Sequence, residues 1–317
     1  MKNIAVITGG SAAERSISLK SADVVCKYID KTKYRPFKVV INEKEWIVEE
    51  NGNAIATIDK NDFSCIVKGE PILFDKVFVA LHGTPAEDGK LQGYFDLLNI
   101  PYNCCGVLQA ALTFDKNRCK EYLSNYGVKT AKAKLFRIDE PKNVVEVAFS
   151  YPVFVKPNKN GSSYGAAKVD EAKNLATAVE NALKYDNEVI VEEFIKGTEV
   201  TCGVITVNDD VIALPLTEIR SKNSFFDFNA KYEGGSQEIT PAEIDAELFK
   251  SIQATSIMIY KALDFKGMSR IDYIVRNGEY FMLEVNSIPG LSEESLIPQQ
   301  ARAHGISLTE LFNISLA

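Results

Sequence analysis

The chain has 317 residues, 46% hydrophobic and 25% charged, an ordinary globular composition with room for about two or three domains. Its 36 Lys and Arg against 43 Asp and Glu leave a net charge of −7, which argues against nucleic acid or a membrane surface as partner but not against an anionic nucleotide held locally. The cysteines (Cys26, Cys65, Cys104, Cys105, Cys119, Cys202) form no C-x-x-C pair, the histidines are only His82 and His304, and no signal peptide or membrane span is visible, so zinc is disfavoured and a reduced cytoplasmic setting is expected.

Residues 4–8 read as a buried strand, followed by Gly9-Gly10-Ser11 and a helix over 14–29 with Ile17, Ala22, Val25 and Tyr28 on its apolar face. Strand, glycine turn and helix open a βα unit. Residues 37–41 form the next strand, and 45–75 read as a polar hairpin insertion around Trp46. A further strand at 76–81 ends at His82-Gly83, and a helix follows at 93–98. A second section holds one helix over 107–126, a strand at 153–157, a Gly/Ser loop at 161–165 and a helix near 170–185. A third opens on a strand at 188–195 and continues with β-rich runs at 200–207 and 211–216. It ends in a hairpin turning at Asn277-Gly278 and a helix near 307–311. The polar stretch 220–240 carries Phe225, Phe226, Phe228 and Tyr232 and is long enough to be a functional loop.

The hairpin is the most informative segment. Glu284 and Asn286 are two apart on one strand and therefore share a face. The turn brings Asp272 beside them, with Arg270 adjacent. Three oxygen ligands in an otherwise apolar pair suit Mg²⁺ that also holds phosphates. Three weaker signals accompany it. Gly9-Gly10-Ser11 before a helix is a place for an anion, although it is not the G-x-G-x-x-G of a nicotinamide oxidoreductase. Lys156 at a strand end, followed by Gly161-Ser162-Ser163-Tyr164-Gly165, fits phosphate without being a Walker loop. Glu192–Ile195, with Glu199 beyond, offers an edge for adenine and a carboxylate for ribose hydroxyls.

Together and in this order, these segments resemble the ATP-grasp superfamily, and within it the D-alanine–D-alanine ligases. The likeness covers nearly the whole chain. It rests on Gly9–Ser21, His82–Gly89, Phe114-Asp115-Lys116, Pro152–Pro157, Gly161–Gly165, Ala230-Lys231-Tyr232, Arg270-Ile271-Asp272 and Glu284–Leu291. The implied fold class is α/β, α+β in parts. It has an N-terminal Rossmann-like parallel-sheet domain (1–104), a central α+β subdomain (105–190) and a C-terminal antiparallel-sheet α+β domain (191–317) with a mobile loop at 220–240.

The resemblance also implies roles. Glu14 anchors the ammonium of the first D-alanine, and His82 lies near its carboxylate. Lys116 and Lys156 meet the nucleotide phosphates, and Lys231 covers the γ-phosphate. Glu192, Phe194 and Ile195 line the adenine pocket, and Glu199 meets the ribose. Asp272, Glu284 and Asn286 hold two Mg²⁺ or Mn²⁺ ions, with a monovalent cation as a further candidate cofactor. Arg270 and the Gly290 backbone stabilise the oxyanion, and Ser295 and Leu296 receive the second carboxylate. Ser162 and Tyr232 join Glu14 in a network that closes the site.

The implied activity is ATP-dependent joining of two D-alanines through a D-alanyl phosphate, for peptidoglycan precursor synthesis, by a cytoplasmic homodimer. D-serine or D-lactate is the alternative second substrate. Relatives that make the D-lactate ester typically have histidine at the position of Tyr232, so tyrosine favours an amine. A nucleotide-binding domain without activity would lack one of Lys116, Lys156, Asp272, Glu284 and Asn286, and all are present. Two departures stand out: Ala86 where the family has glycine, and Cys104-Cys105 where small Gly/Ser residues are usual.

Overall fold

The computed structural model describes residues 1–10, 14–42, 44–139, 146–161, 164–221 and 236–317. The first unit runs through β1 (Lys2–Gly9), α1 (Arg15–Tyr28), β2 (Tyr34–Ile41), β3 (Trp46–Glu50), β4 (Asn53–Thr57), β5 (Cys65–Val67), β6 (Glu70–Ile72), β7 (Lys76–Val79) and α2 (Lys90–Leu98). Its sheet has the order β4-β3-β2-β1-β7. β1 is parallel to both β2 and β7, and Ile4 to Ile7 are fully buried, as expected of a parallel strand covered on both faces.

The hairpin expected around Trp46 forms as β3 and β4, but rather than a polar insertion it extends this sheet, with β3 antiparallel to β2. Val48, Ile58, Phe63, Cys65, Val67, Ile72 and Phe74 join the core around Phe95. Their short runs lie between Asp, Asn and Lys, so composition hides them and only packing reveals them.

The second unit comprises α3 (Val107–Phe114), α4 (Lys116–Ser124), β8 (Ala133–Arg137), β9 (Val153–Pro157), β10 (Ala167–Val169), α5 (Leu175–Ala182) and β11 (Glu188–Glu193). The single helix expected over 107–126 is two. Asp115 takes an extended ψ of 94°, and its side chain accepts a hydrogen bond from the Arg118 N–H, ending α3 and capping α4. The sheet is antiparallel in the order β10-β9-β11-β8. Val153, Val155, Val189 and Val191 pack with Leu175 and Val179 of α5. By alternation, Phe154, Lys156, Ile190 and Glu192 share the opposite face.

The third unit contains β12 (Thr198–Val207), β13 (Asp210–Ala213), β14 (Thr217–Ser221), β15 (Ser236–Ile239), α6 (Ala246–Ala262), β16 (Ser269–Arg276), β17 (Glu279–Asn286), α7 (Leu296–Ala303) and α8 (Leu308–Leu316). The sheet order is β15-β14-β12-β16-β17, with β13 on β12. The flanks of the expected loop at 220–240 are thus paired strands, and its middle, 222–235, lies outside the described residues. α6 was not anticipated. Asp245 caps it by accepting from the Glu247 and Leu248 N–H groups, and it buries Ile252, Ser256, Ile259 and Tyr260. Cys105, Ala110, Cys119 and Leu123 also enter this third core. α8 returns to the first unit, where Phe312 meets Phe78 edge-on at 5.8 Å.

Candidate active site

β16 and β17 turn at Asn277-Gly278, both at positive φ (53° and 78°), as a tight hairpin requires. Their register sets Asp272 opposite Glu284 and Arg270 opposite Asn286, so all four side chains project to one face. On the other side of β16, Thr201 of β12 lies opposite Asp272, and Glu199, two residues earlier, shares that face.

Asp272 is buried and hydrogen-bonded at both oxygens. Arg270 holds it with two bonds of 2.8 Å, from Nε to Oδ1 and from Nη2 to Oδ2. Thr201 Oγ1 donates to Oδ1 at 2.7 Å and Asn286 Nδ2 to Oδ2 at 2.9 Å. Lys116, the first residue of α4, sets its ammonium 3.5 Å from Glu284 and donates to the Asn160 carbonyl at 2.7 Å. Among the described residues, no group of three or more His, Cys, Asp and Glu is arranged to hold a metal. The hairpin set is two carboxylates and an amide on one face. All are hard oxygen donors, and Mg²⁺ bound through substrate phosphates needs only one or two carboxylates from the protein. The residues present therefore fit the ion.

The face of the central sheet opposite α5 carries the second charged group. Glu192 lies 2.9 Å from Lys156 and also contacts Lys120. Burial alone would raise the Glu192 pKa, but Lys120 and Lys156 outweigh it and hold it near about 2. Burial pulls Lys120 down to about 8 despite Glu192. For Lys156 the attraction of Glu192 and Glu284 exceeds the cost of burial, and its pKa is raised. Beside them the Lys168 ammonium sits 5.2 Å over the Phe194 ring, and Ile195 is buried.

A polar bolt fixes α4 to β9. Asn158 accepts from the Lys116 N–H through its carbonyl and from the Asn117 N–H through Oδ1 (2.9 Å). Its Nδ2 donates to Asp115 at 2.9 Å and to Glu188 at 3.2 Å. Hydrogen bonds from Arg118 and Lys159 hold Glu188 at a pKa of about 2.

The third region surrounds the start of α1. A Cβ on Gly161 would lie 2.4 Å from Glu14 Oε1, so the Glu14 carboxylate rests against the Gly/Ser loop. His82 is buried with both ring nitrogens engaged, Nδ1 with the Ile288 carbonyl at 2.9 Å and Nε2 with Ser21 Oγ at 3.1 Å. A carbonyl only accepts, so Nδ1 carries the proton and Nε2 accepts from Ser21. Ser21 in turn accepts from the Leu291 N–H at 3.2 Å, and Ser18 from the His82 N–H at 3.0 Å. Burial lowers the His82 pKa, against the pull of Glu14. Glu87 is raised to about 8, first by burial and next by Glu14. Gly290 abuts Ser295, whose Oγ a Cβ there would meet at 2.8 Å. Ser295 caps α7 without a side-chain cap bond, so the first N–H groups, beginning at Leu296, lack that partner.

The sequence-predicted residues thus gather in three adjoining regions: Asp272, Glu284, Asn286, Arg270, Glu199 and Lys116; Lys156, Glu192, Phe194 and Ile195; and Glu14, His82, Gly290, Ser295 and Leu296. Ser162, Lys231 and Tyr232 lie outside the described residues. Ala86 does not take a positive φ, so a side chain fits there; its carbonyl accepts from Gln92 Nε2 at 2.8 Å. Sequence reasoning missed Lys120, Thr201, Ser18, Ser21 and Asn158. Lys120 was within reach, being one helical turn past Lys116. The serines resembled ordinary helix residues, and the partners that tie them to His82 and Leu291 lie 61 or more positions away.

A profile described as D-ala D-ala ligase N-terminus matches residues 3–105, and one described as D-ala D-ala ligase C-terminus matches 123–316. The D-alanine–D-alanine ligase of Flavobacterium johnsoniae is 49% identical over 314 residues, covering 98% of this chain and 97% of its own. Among solved structures, the VanG D-Ala:D-Ser ligase from Enterococcus faecalis superposes with a TM-score of 0.87 at 34% identity, over 99% of this chain and 98% of that one. The D-alanine–D-alanine ligase from Bacillus anthracis complexed with ATP gives 0.81 at 28%, over 100% and 96%. With its ATP-grasp architecture, the chain belongs to the D-alanine–D-alanine ligase family.

Proposed function

We propose that these residues divide between them the ATP-dependent joining of two D-alanines to D-alanyl-D-alanine. The observation that carries this reading is the meeting of Glu284, Asp272, Arg270 and Lys116 on one face of the hairpin, with the Ile288–Leu291 turn just beyond it held to His82 and to Ser21 of α1.

The nucleotide lies along the face of Lys156, Glu192, Phe194 and Ile195, with Glu199 at the ribose. Two Mg²⁺ or Mn²⁺ ions, held by Asp272, Glu284 and Asn286, supply charge neutralisation at the phosphate oxygens when bound. Glu14 holds the ammonium of the first D-alanine, and the neutral His82 walls its carboxylate. That carboxylate attacks the γ-phosphorus, the bond to ADP breaks, and a D-alanyl phosphate forms. Lys116 and Lys156 offset the charge that gathers on the transferring group.

The second D-alanine lays its carboxylate on the α7 N-terminus at Ser295 and Leu296, where N–H groups and the helix dipole favour an anion. Its amine attacks the acyl carbon. Arg270 and the Gly290 N–H stabilise the oxyanion, and phosphate leaves as the amide forms. From the sequence, Ser162, Lys231 and Tyr232 are assigned to closing the site. Work as a homodimer in the cytoplasm, on peptidoglycan precursors, belongs to the same proposal, as do a monovalent cation and the domain division at 104 and 190.

D-Serine as second substrate is a distinct reading, favoured by the likeness to VanG. Incubation with ATP, D-alanine and D-serine, followed by mass analysis of products, separates the two. Loss of dipeptide on chelating divalent ions, restored by Mg²⁺, tests the metal assignment.

A further inference from the structure

Lys120 lies one helical turn past Lys116, so the two ammonium groups leave α4 on one face. Its side chain is only 6% exposed, and among the described residues its one ion pair is with Glu192. The neighbouring Cys119 and Leu123 anchor α4 in the C-terminal core, whereas Glu192 belongs to the central sheet. Two cations therefore converge on one buried carboxylate, while Glu284 draws on both from farther off. Lys156 has a second claim on it, since the nucleotide reading above assigns it to the phosphates. As Lys156 turns toward them, Glu192 retains a counter-charge only through Lys120, and a buried carboxylate without one is costly.

We propose that Lys120 is a positioning residue that sets base specificity: it keeps Glu192 ionised and fixed, so that this carboxylate selects a base with an exocyclic amino donor over one with a carbonyl at the same edge. An ionised carboxylate only accepts hydrogen bonds. Adenine offers a donor there, while guanine offers a repelled oxygen. A neutral or wandering Glu192 would lose the distinction. The inference rests on the nucleotide reading of this sheet face, not on the identity of the second amino acid.

The test is calorimetric binding of MgATP and MgGTP to the full chain without D-alanine, with ligation assayed in parallel. Wild type is expected to prefer ATP. Lys120→Met should shrink the ATP-to-GTP affinity ratio by about tenfold or more, chiefly through ATP, as expected when a polar recognition group loses its setting. Lys120→Arg should retain most of the preference.

An unchanged ratio in Lys120→Met, or equal losses for both nucleotides, would overturn the proposal. Circular dichroism checks folding. Should Lys120→Met fail to fold, Glu192→Gln carries the same test, because its amide needs no counter-charge and can donate to guanine. Full retention of ATP preference in that variant would equally overturn the idea. Wild type binding both nucleotides alike refutes this specificity role, while ATP binding without any dipeptide refutes the ligase reading instead.

Discussion

Glu284 faces Asp272 across the hairpin with the Lys116 ammonium 3.5 Å away, so on the proposed assignment removing its charge would strike metal and phosphate together. Glu284→Gln should lower dipeptide formation by roughly a hundredfold or more with circular dichroism unchanged; a near-normal rate would refute the metal assignment. His82 makes a pH prediction. Its folded pKa lies below the ordinary 6.5 because the ring is buried and neutral. The unfolded chain therefore binds the proton first as pH falls. The stabilisation from neutral His82 is complete above about 6.5 and is lost progressively below it. Glu87, raised to about 8, works in the opposite sense over the same range, so the His82 contribution is read as a difference: thermal midpoints of wild type should drop relative to those of His82→Asn as pH falls below about 6.5. Parallel curves would assign the titration to another group. At this scale the sequence was most legible where spacing alone sets direction. Asp272, Glu284 and Asn286 needed only a two-residue period and a turn. The bidentate hold of Arg270 on Asp272 and the Lys120–Glu192–Lys156 cluster depend on side-chain conformations that no spacing dictates.

Among the elements, α1 serves the site through its buried serines. Ser18 and Ser21 tie His82 and Leu291 together, and Glu14 precedes the helix with its carboxylate against Gly161. Gly161→Ala would press a methyl to 2.4 Å from Glu14 Oε1. The flexible carboxylate yields rather than the backbone, so the KM for D-alanine should rise about fivefold or more with little change in thermal midpoint, as when a substrate anchor is displaced. An unchanged KM would remove Glu14 from the first substrate. β1, β7, β9, β16 and β17 were readable as apolar runs bounded by turns. The α3–α4 break was not, because the capping aspartate lies inside a continuous helical pattern. The β3–β6 segment shows its hairpin but not its burial, because its apolar runs are only about three residues long and lie between charged and polar residues. α6 passed unnoticed although its core positions at Ile252, Ser256 and Ile259 follow helical spacing.

Across the whole molecule the first and third units share a core. Phe78 and Ile4 from the first sheet pack with Leu311 and Phe312 of α8 and with Ile297 of α7. Phe312→Ala removes a fully buried ring and should cost about 3–5 kcal/mol of unfolding free energy, read from urea denaturation; a loss near zero would mean that α8 is not held as described. The sequence showed α/β and β-rich sections in order but not this return of the last helix, because contacts between chain ends leave no local pattern. The same packing fixes the Ile288–Leu291 turn and the start of α7 relative to α1, and with them the two amino-acid positions proposed above. The most direct measurement of the central claim is the product formed from ATP, Mg²⁺ and equal D-alanine and D-serine, identified by mass. D-Alanyl-D-alanine with one ADP and one phosphate per peptide bond is the predicted result; no D-alanyl-D-alanine, or a product dominated by D-alanyl-D-serine, would contradict it.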